Sequence, residues 1–170
     1  RRLKPWGLAS LGLVSLSLAA CSTTAPTLPG ASSGAPLPTE GYDWYLNQDE
    51  GEVSLSYGMA ETDDVPMDLS CTPGSRSLTL LLNTDKGAPP RIALESGGET
   101  QTYRAKAEAS PLGDSLDLTA QAPASDPVFK RFKQTGWLAV HTDQARRTLV
   151  ATEDTRPQIN QFFEICDPSA

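Results

Sequence analysis

Residues 53–60 read Val53-Ser54-Leu55-Ser56-Tyr57-Gly58-Met59-Ala60, so that large apolar side chains alternate with small ones. A period of two is typical of a β-strand with one buried face, because successive side chains of a strand point to opposite sides. The same alternation continues in Met67-Asp68-Leu69-Ser70-Cys71. We therefore predict two strands with a common inward face, and Cys71 lies on that face.

Short segments of the same kind continue along the chain. Strands are predicted at 42–47, 53–60, 67–71, 77–83, 91–95, 100–109, 116–120, 137–141 and 147–152. The breaks between them carry glycine and proline, as in Pro73-Gly74 and Gly97-Gly98. Regularly spaced short strands with such turns predict a mainly β fold, either an antiparallel sandwich or a small barrel.

Two segments have helical rather than strand character. Asp126-Pro127 precedes apolar residues at 128, 129 and 132, and Gly136 follows, which predicts a short helix. Near the C-terminus, from about residue 155, four residues spaced for one helical face are Ile159, Phe162, Phe163 and Cys166. We expect this C-terminal helix to pack on the sheet.

The first 20 residues predict a signal peptide. A basic head (1–4) precedes an uncharged apolar run from 8 to 20, which is shorter than the roughly 20 residues of a membrane-spanning helix. The run ends in Leu18-Ala19-Ala20-Cys21, which resembles the lipobox of bacterial lipoproteins. That resemblance implies cleavage before Cys21 and attachment of lipid to its thiol, which would anchor the chain in a membrane.

The remaining chain divides into a tether and one domain. After the lipidated cysteine, residues 22–41 are almost entirely small residues and proline, which predicts a flexible tether over 21–41. Residues 42–170 form a single periplasmic β-rich domain. Ser22 stands where an aspartate would resemble an inner-membrane retention signal, so we expect a lipid anchor in the outer membrane with the domain facing the periplasm.

Two cysteines remain for the domain, Cys71 and Cys166. An oxidising compartment favours a disulfide between them, and the alternative is two separate buried thiols. A metal site is disfavoured, since these cysteines and the lone His141 make a poor ligand set. We predict no metal and no cofactor.

The charge limits the classes of partner. Without residues 1–20 the chain has 11 Lys and Arg against 21 Asp and Glu, a formal charge of −10. This disfavours nucleic acid and anionic lipid surfaces, and suits a basic partner. Glu61, Asp63 and Asp64 lie in an acidic segment and could bind calcium, although a solvated turn is the favoured interpretation.

Basic side chains concentrate at two places in the chain. Candidate partner-binding residues are Lys130, Arg131, Lys133, Arg146 and Arg147. They could contact an acidic glycan, lipid phosphates or an acidic protein, and the alternative is a solvated helix face and turn. His141 lies near Asp143, but no G-x-S-x-G motif supplies a nucleophile, so we predict a structural or surface histidine and no catalytic residues.

Several segments resemble a group of uncharacterised bacterial periplasmic proteins. They are Leu55-Ser56-Tyr57-Gly58, Glu61-Thr62-Asp63-Asp64, Leu69-Ser70-Cys71, Asp126-Pro127, Phe132, Thr135-Gly136, Phe162-Phe163 and Cys166. This resemblance covers most of 42–167 and implies no activity. Ser96-Gly97-Gly98 with Tyr103 is also similar to the Ser/Gly loop of lipoprotein inhibitors of lysozyme, with a longer spacing to the tyrosine.

The predicted function is that of a non-enzymatic, lipid-anchored envelope domain, which binds an envelope protein or glycan or has a structural role. One alternative is an inhibitor of a lysozyme-type hydrolase, for which a −10 charge facing a basic enzyme is suitable. The other alternative is a hydrolase with an unrecognised site around His141. The sequence assigns no oligomeric state.

Overall fold

A computed structural model of the chain describes residues 35–111, 113–142 and 145–169. The predicted signal peptide, the lipobox with Cys21 and the tether up to residue 34 lie outside the described residues. Within the described ranges the chain forms ten strands and two helices. The strands are β1 (Tyr42–Asp49), β2 (Glu52–Met59), β3 (Met67–Cys71), β4 (Ser77–Asp85), β5 (Arg91–Ser96), β6 (Glu99–Arg104), β7 (Lys106–Ala109), β8 (Ser115–Pro123), β9 (Trp137–His141) and β10 (Arg146–Val150). The helices are α1 (Pro127–Thr135) and α2 (Arg156–Cys166).

The strands form two antiparallel sheets. The six-stranded sheet has the order β1-β2-β3-β4-β8-β7, and the four-stranded sheet has the order β10-β9-β5-β6. The predicted mainly β fold is confirmed. The two sheets are not closed into a barrel, so the barrel alternative is wrong.

The segment predicted as one strand over 100–109 is two strands that belong to different sheets. β6 pairs with β5, whereas β7 pairs with β8, and the chain changes sheet at Ala105. Ala105 is buried, and its N–H donates to the carbonyl oxygen of Pro90 at 3.0 Å. The alternating pattern did not reveal this change because all four side chains of β7 are exposed, so that no alternation of buried and exposed residues marks the strand.

The core contains the inward faces of both sheets and the apolar faces of both helices. Trp44 lies between Tyr57 and Phe132, with ring centroids 5.2 Å and 5.0 Å away. Phe163 of α2 contacts Phe132 of α1 at 6.2 Å between centroids. All these rings are at most 1 % exposed, so burial of aromatic surface joins the helices to the sheets.

Both predicted helices are confirmed. α1 begins at Pro127, where the missing N–H costs no hydrogen bond, and it ends at Gly136 with φ 75°. The N–H of Gly136 donates to Phe132 O at 2.9 Å. α2 contacts β1, β2 and α1, as expected for a C-terminal helix packed on the sheet. No helix within the described ranges is both long and apolar enough to cross a membrane.

Cys71 and Cys166 form a disulfide with a Cα–Cα distance of 5.8 Å, which confirms the predicted pair. Both residues are almost fully buried. Two backbone hydrogen bonds lie beside the bridge, from Gly74 N to Ile165 O at 2.9 Å and from Arg76 N to Cys166 O at 3.0 Å. The end of α2 is therefore fixed to the segment between β3 and β4.

Asp43 fixes the other end of α2. Its buried carboxylate accepts hydrogen bonds from Thr152 Oγ1 at 2.7 Å and from the hydroxyl of Thr155, the residue before the helix. It also accepts from Trp44 N at 2.8 Å. A buried carboxylate needs such partners, so Asp43 has a structural role in joining β1 to the start of α2.

Candidate functional site

Two neighbouring cavities lie at the end of the domain where β1 begins. The first, which we call the outer groove, has a volume of about 530 Å³ and is lined by the β2–β3 loop, β4, β8 and β10. The second, which we call the inner cleft, has about 250 Å³ and lies between the ends of β4 and β10. Pro66, Asn83 and Arg147 line both cavities, which therefore adjoin.

The β2–β3 loop is fixed in place by a close backbone approach. The N–H of Met59 donates to Asp64 O at 3.1 Å, and a Cβ added at Gly58 would lie 2.5 Å from the same oxygen. The phenol of Tyr42 donates to the Asp64 carboxylate. This hydrogen bond is the largest cause of the raised pKa of Tyr42. The wall of the outer groove is thus ordered by β1 and β2.

The polar side of the outer groove is organised by Asn83. Its amide donates to Asp117 Oδ1 at 2.8 Å and to Ser115 Oγ at 3.0 Å. These residues come from β4 and β8, whose pairing places Asn83 opposite Asp117. Together with Asp63 and Asp64, the Asp117 carboxylate gives this side of the groove an acidic character.

The apolar side of the outer groove is exposed to solvent. Val65 and Leu81 line it and are 38 % and 39 % exposed, and Met59 beside the loop is 39 % exposed. Apart from Leu37 in the segment before β1, these three are the exposed large hydrophobic residues of the described chain. An exposed apolar cluster with a polar rim is typical of an interaction site.

Arg147 lies where the two cavities meet. Its guanidinium carbon is 5.8 Å from the ring centroid of Tyr42, within the range of a cation–π contact. Its side chain forms no hydrogen bond or ion pair with any residue that the structure describes. The predicted pair Arg146 and Arg147 is not one patch, because neighbouring strand residues point to opposite faces.

Arg146 belongs to a separate cluster on the outer face of the four-stranded sheet. Its Nε and Nη2 donate to the Glu95 carboxylate at 2.9 and 3.1 Å, and its guanidinium lies 5.5 Å from the Trp137 ring centroid. His141 Nε2 donates to Glu95 Oε2 at 2.7 Å. The Arg146 hydrogen bonds, with help from His141, lower the pKa of Glu95 to about 2. Glu95 is therefore ionised and paired at neutral pH.

No family model, curated protein or solved structure matches this chain. Among the residues that the structure describes, no group of three or more His, Cys, Asp or Glu is placed to hold a metal ion. The outer groove combines acidic side chains with exposed apolar side chains, as binding surfaces do.

Among the residues that the structure describes, His141 borders a small cavity and contacts Glu95. A cavity of about 10 Å³ borders His141, which is barely the space of one water molecule. Its ring nitrogen is already engaged by Glu95, 46 residues away in the sequence. The neighbouring Asp143 lies outside the described residues.

The serine and tyrosine that resemble the inhibitor loop both point into the protein. Ser96 is fully buried, and its hydroxyl lies 2.8 Å from Trp137 O and 2.9 Å from the Thr135 hydroxyl. Tyr103 is 7 % exposed and donates its phenol proton to Asp126 at 2.8 Å. Neither side chain is free to enter the cleft of an enzyme.

The basic residues of α1 lie on the helix surface. Lys130 and Arg131 are exposed, and Arg131 donates to Gln134 at 3.2 Å. Lys133 is half-buried, with its ammonium 5.8 Å from the Phe163 ring centroid. These contacts suit a solvated helix face.

The sequence did not predict the outer groove, although the residue pattern of β4 contains one indication of it. In β4 the residues Leu80, Leu81 and Leu82 are consecutive, and only Leu80 and Leu82 have the inward phase. Leu81 must therefore lie on the outer face, where an apolar side chain is unusual. The groove residues that belong to other elements are at least 15 residues away from Leu81 in the sequence and could not be assigned from it.

Proposed function

We propose that residues 42–169 form a non-enzymatic binding domain of the bacterial cell envelope, and that a segment of a partner protein occupies the outer groove. The observation that carries this proposal is that the exposed apolar side chains of Val65 and Leu81 line the same groove as the carboxylates of Asp63, Asp64 and Asp117. Apolar side chains that are exposed to water at this position do not stabilise the domain, whereas a bound partner would bury them.

A protein segment suits the groove better than a glycan does. Val65 and Leu81 offer exposed apolar area, which binds side chains through loss of water from both surfaces. Asp63 and Asp117 offer negative charge to a basic residue of that segment. The formal charge of −10 without residues 1–20 also favours a basic partner and would speed association at low salt.

The proposal places the domain at a membrane. Its support is the sequence Leu18-Ala19-Ala20-Cys21, and lipid on Cys21 would hold the chain in the outer membrane. The tether of 21–41 would then give the domain a reach of about 25 Å on the periplasmic side. The groove lies beside Tyr42, where this tether joins the fold.

Site-specific photo-crosslinking in cells tests the binding proposal. A photoreactive phenylalanine analogue is placed at Leu81 in the groove or, as a matched control, at the exposed Lys130 of α1. We expect a discrete protein adduct from position 81 and none from position 130. Asp117→Lys should remove that adduct, because it replaces a negative charge of the groove with a positive one without entering the core.

Three other results of the crosslinking experiment would contradict the proposal or part of it. Adducts from position 130 alone would move the binding site to the basic face of α1. The absence of adducts from both positions, in protein shown to be folded and membrane-bound, would reject a protein-binding function. An adduct at position 81 that survives Asp117→Lys would show that the acidic side of the groove does not take part.

A further inference from the structure

We infer that the inner cleft and Arg147 recognise the free carboxyl end of a peptide whose last side chain is apolar. This inference rests on the proposed function and names the chemistry by which the partner would be held. It follows from three observations, namely a guanidinium without a hydrogen-bond partner among the described residues, its contact with Tyr42, and the small cleft beside it that is lined in part by core aliphatic side chains.

The first observation is that the guanidinium N–H groups of Arg147 have no acceptor among the residues that the structure describes. Arg146, its neighbour in β10, donates to Glu95 and to Thr148 Oγ1 at 2.9 Å. Arg147 forms no such bond to any part of the chain that the structure describes. Its five N–H donors are therefore available, and their forked arrangement matches the two oxygens of a carboxylate.

The second observation is that a contact within the protein already positions the Arg147 guanidinium. It lies over the ring of Tyr42, which stacks on Tyr57 with centroids 5.8 Å apart. The Tyr42 phenol is in turn fixed by Asp64. A donor group held in this way loses less conformational entropy when it binds an anion.

The third observation is the size and lining of the inner cleft. Its volume of about 250 Å³ lies below the roughly 300–1,000 Å³ of sites for whole small molecules, and suits a single side chain. Its lining is mixed, with Leu82, Val140 and Leu149 of the hydrophobic core on the apolar part and Asn83, Thr84, Asp85 and Thr142 on the polar part. An aliphatic side chain fits the apolar part of this lining, with its carboxylate at the mouth beside Arg147.

The acidic residues of the outer groove distinguish a peptide from other anions. Asp63, Asp64 and Asp117 would repel a phosphate group or another multiply charged anion. A peptide carries one negative charge at its end, and the residues before that end can be neutral or basic. The charges of the groove therefore favour a peptide with a lysine upstream of its carboxyl end.

Titration calorimetry with two peptides tests the inference. The protein is the chain from residue 21 with Cys21→Ser, which is free of lipid. The peptides are acetyl-Gly-Lys-Gly-Ser-Leu with a free carboxylate and the same peptide with a carboxamide end. We expect the free acid to bind about tenfold tighter or more, as is typical of a hydrogen bond to a charged group.

Two variants assign that preference to its residue. Arg147→Gln should bind both peptides equally, whereas the adjacent Arg146→Gln should keep the preference of at least about tenfold, because it changes only the opposite face. Circular dichroism confirms that both variants are folded. Equal binding of the two peptides by the unmodified chain, or a preference that survives Arg147→Gln, would overturn the inference.

The two proposals fail in distinguishable ways. Adducts at position 81 without any carboxylate preference would leave the binding function standing and remove the role of Arg147. Absence of adducts from both positions 81 and 130 removes the binding function itself. Failure of the free-acid peptide to bind at 1 mM or below, about the weakest binding that calorimetry follows, would likewise overturn the carboxylate inference.

Discussion

Removal of the Cys71–Cys166 disulfide should destabilise the domain strongly. The bridge closes a loop with a sequence separation of 95 residues. In the chain-entropy model a loop of that length stabilises the fold by about 4.7 kcal/mol, because it restricts the unfolded chain. Measured values are commonly smaller, so we expect Cys71→Ala with Cys166→Ala to lower the free energy of unfolding by about 3–5 kcal/mol.

This loss is a large share of the stability of a domain this size, which is typically about 5–15 kcal/mol. Urea unfolding at pH 7 measures it directly, and the melting temperature should fall by about 12–20 °C. Both proteins carry Cys21→Ser, so that no other thiol contributes. A loss below about 1 kcal/mol would contradict the entropic reasoning.

The location of the loosening gives a second check on the same perturbation. The bridge and the hydrogen bonds from Gly74 and Arg76 join the end of α2 to the β3–β4 segment. Hydrogen exchange should therefore accelerate first at these two amides and in the last turn of α2. If exchange accelerates first in β6 and β7 while α2 keeps its protection, the bridge does not act as described.

Three further predictions concern other parts of the molecule. Glu95→Gln should lower the free energy of unfolding at pH 7 by about 1 kcal/mol, since the Arg146 pair is half-exposed and screened. The pKa of Glu95 is lowered from 4.5 to about 2, so this difference should be complete above about pH 4.5 and disappear as the pH falls toward 2 in urea titrations. Gly58→Ala should destabilise by about 1–3 kcal/mol in thermal melts, because its Cβ would lie 2.5 Å from Asp64 O, and an unchanged melting temperature would disprove that contact. Cys21→Ser should leave the chain unprocessed and without lipid label, and a mature membrane-bound species would refute the lipobox interpretation.

Local patterns predicted most of the fold. The alternation in β2 and β3 located two strands and placed Cys71 on the inward face, and the helical spacing of Cys166 gave its partner. These features depend only on residues a few positions apart. The order of the strands in a sheet depends on residues that are far apart in the sequence. The pairing of β5 with β9, for example, could not be derived from either strand alone.

The candidate site was less predictable for the same reason. The charge of Arg147 is visible in the sequence, and the strand period explains why Arg146 faces the other way. Tyr42, which Arg147 contacts, lies 105 residues earlier, and the β2–β3 loop that lines the same groove lies about 80 residues earlier. Only tertiary structure brings this cation, the tyrosine and the two cavities together.

The position of the groove beside Tyr42 has a mechanical consequence. Tension on a lipid anchor would enter the fold at Tyr42, and tension on a partner in the outer groove would enter at the loop containing Asp64, which Tyr42 contacts directly. The two points of attachment are neighbours, so the force would cross one end of the domain. The Cys71–Cys166 bridge lies at the opposite end of β2 and β3, away from these two points. Under the proposed anchoring and binding, the domain would therefore connect a membrane to its partner without being stretched along its length.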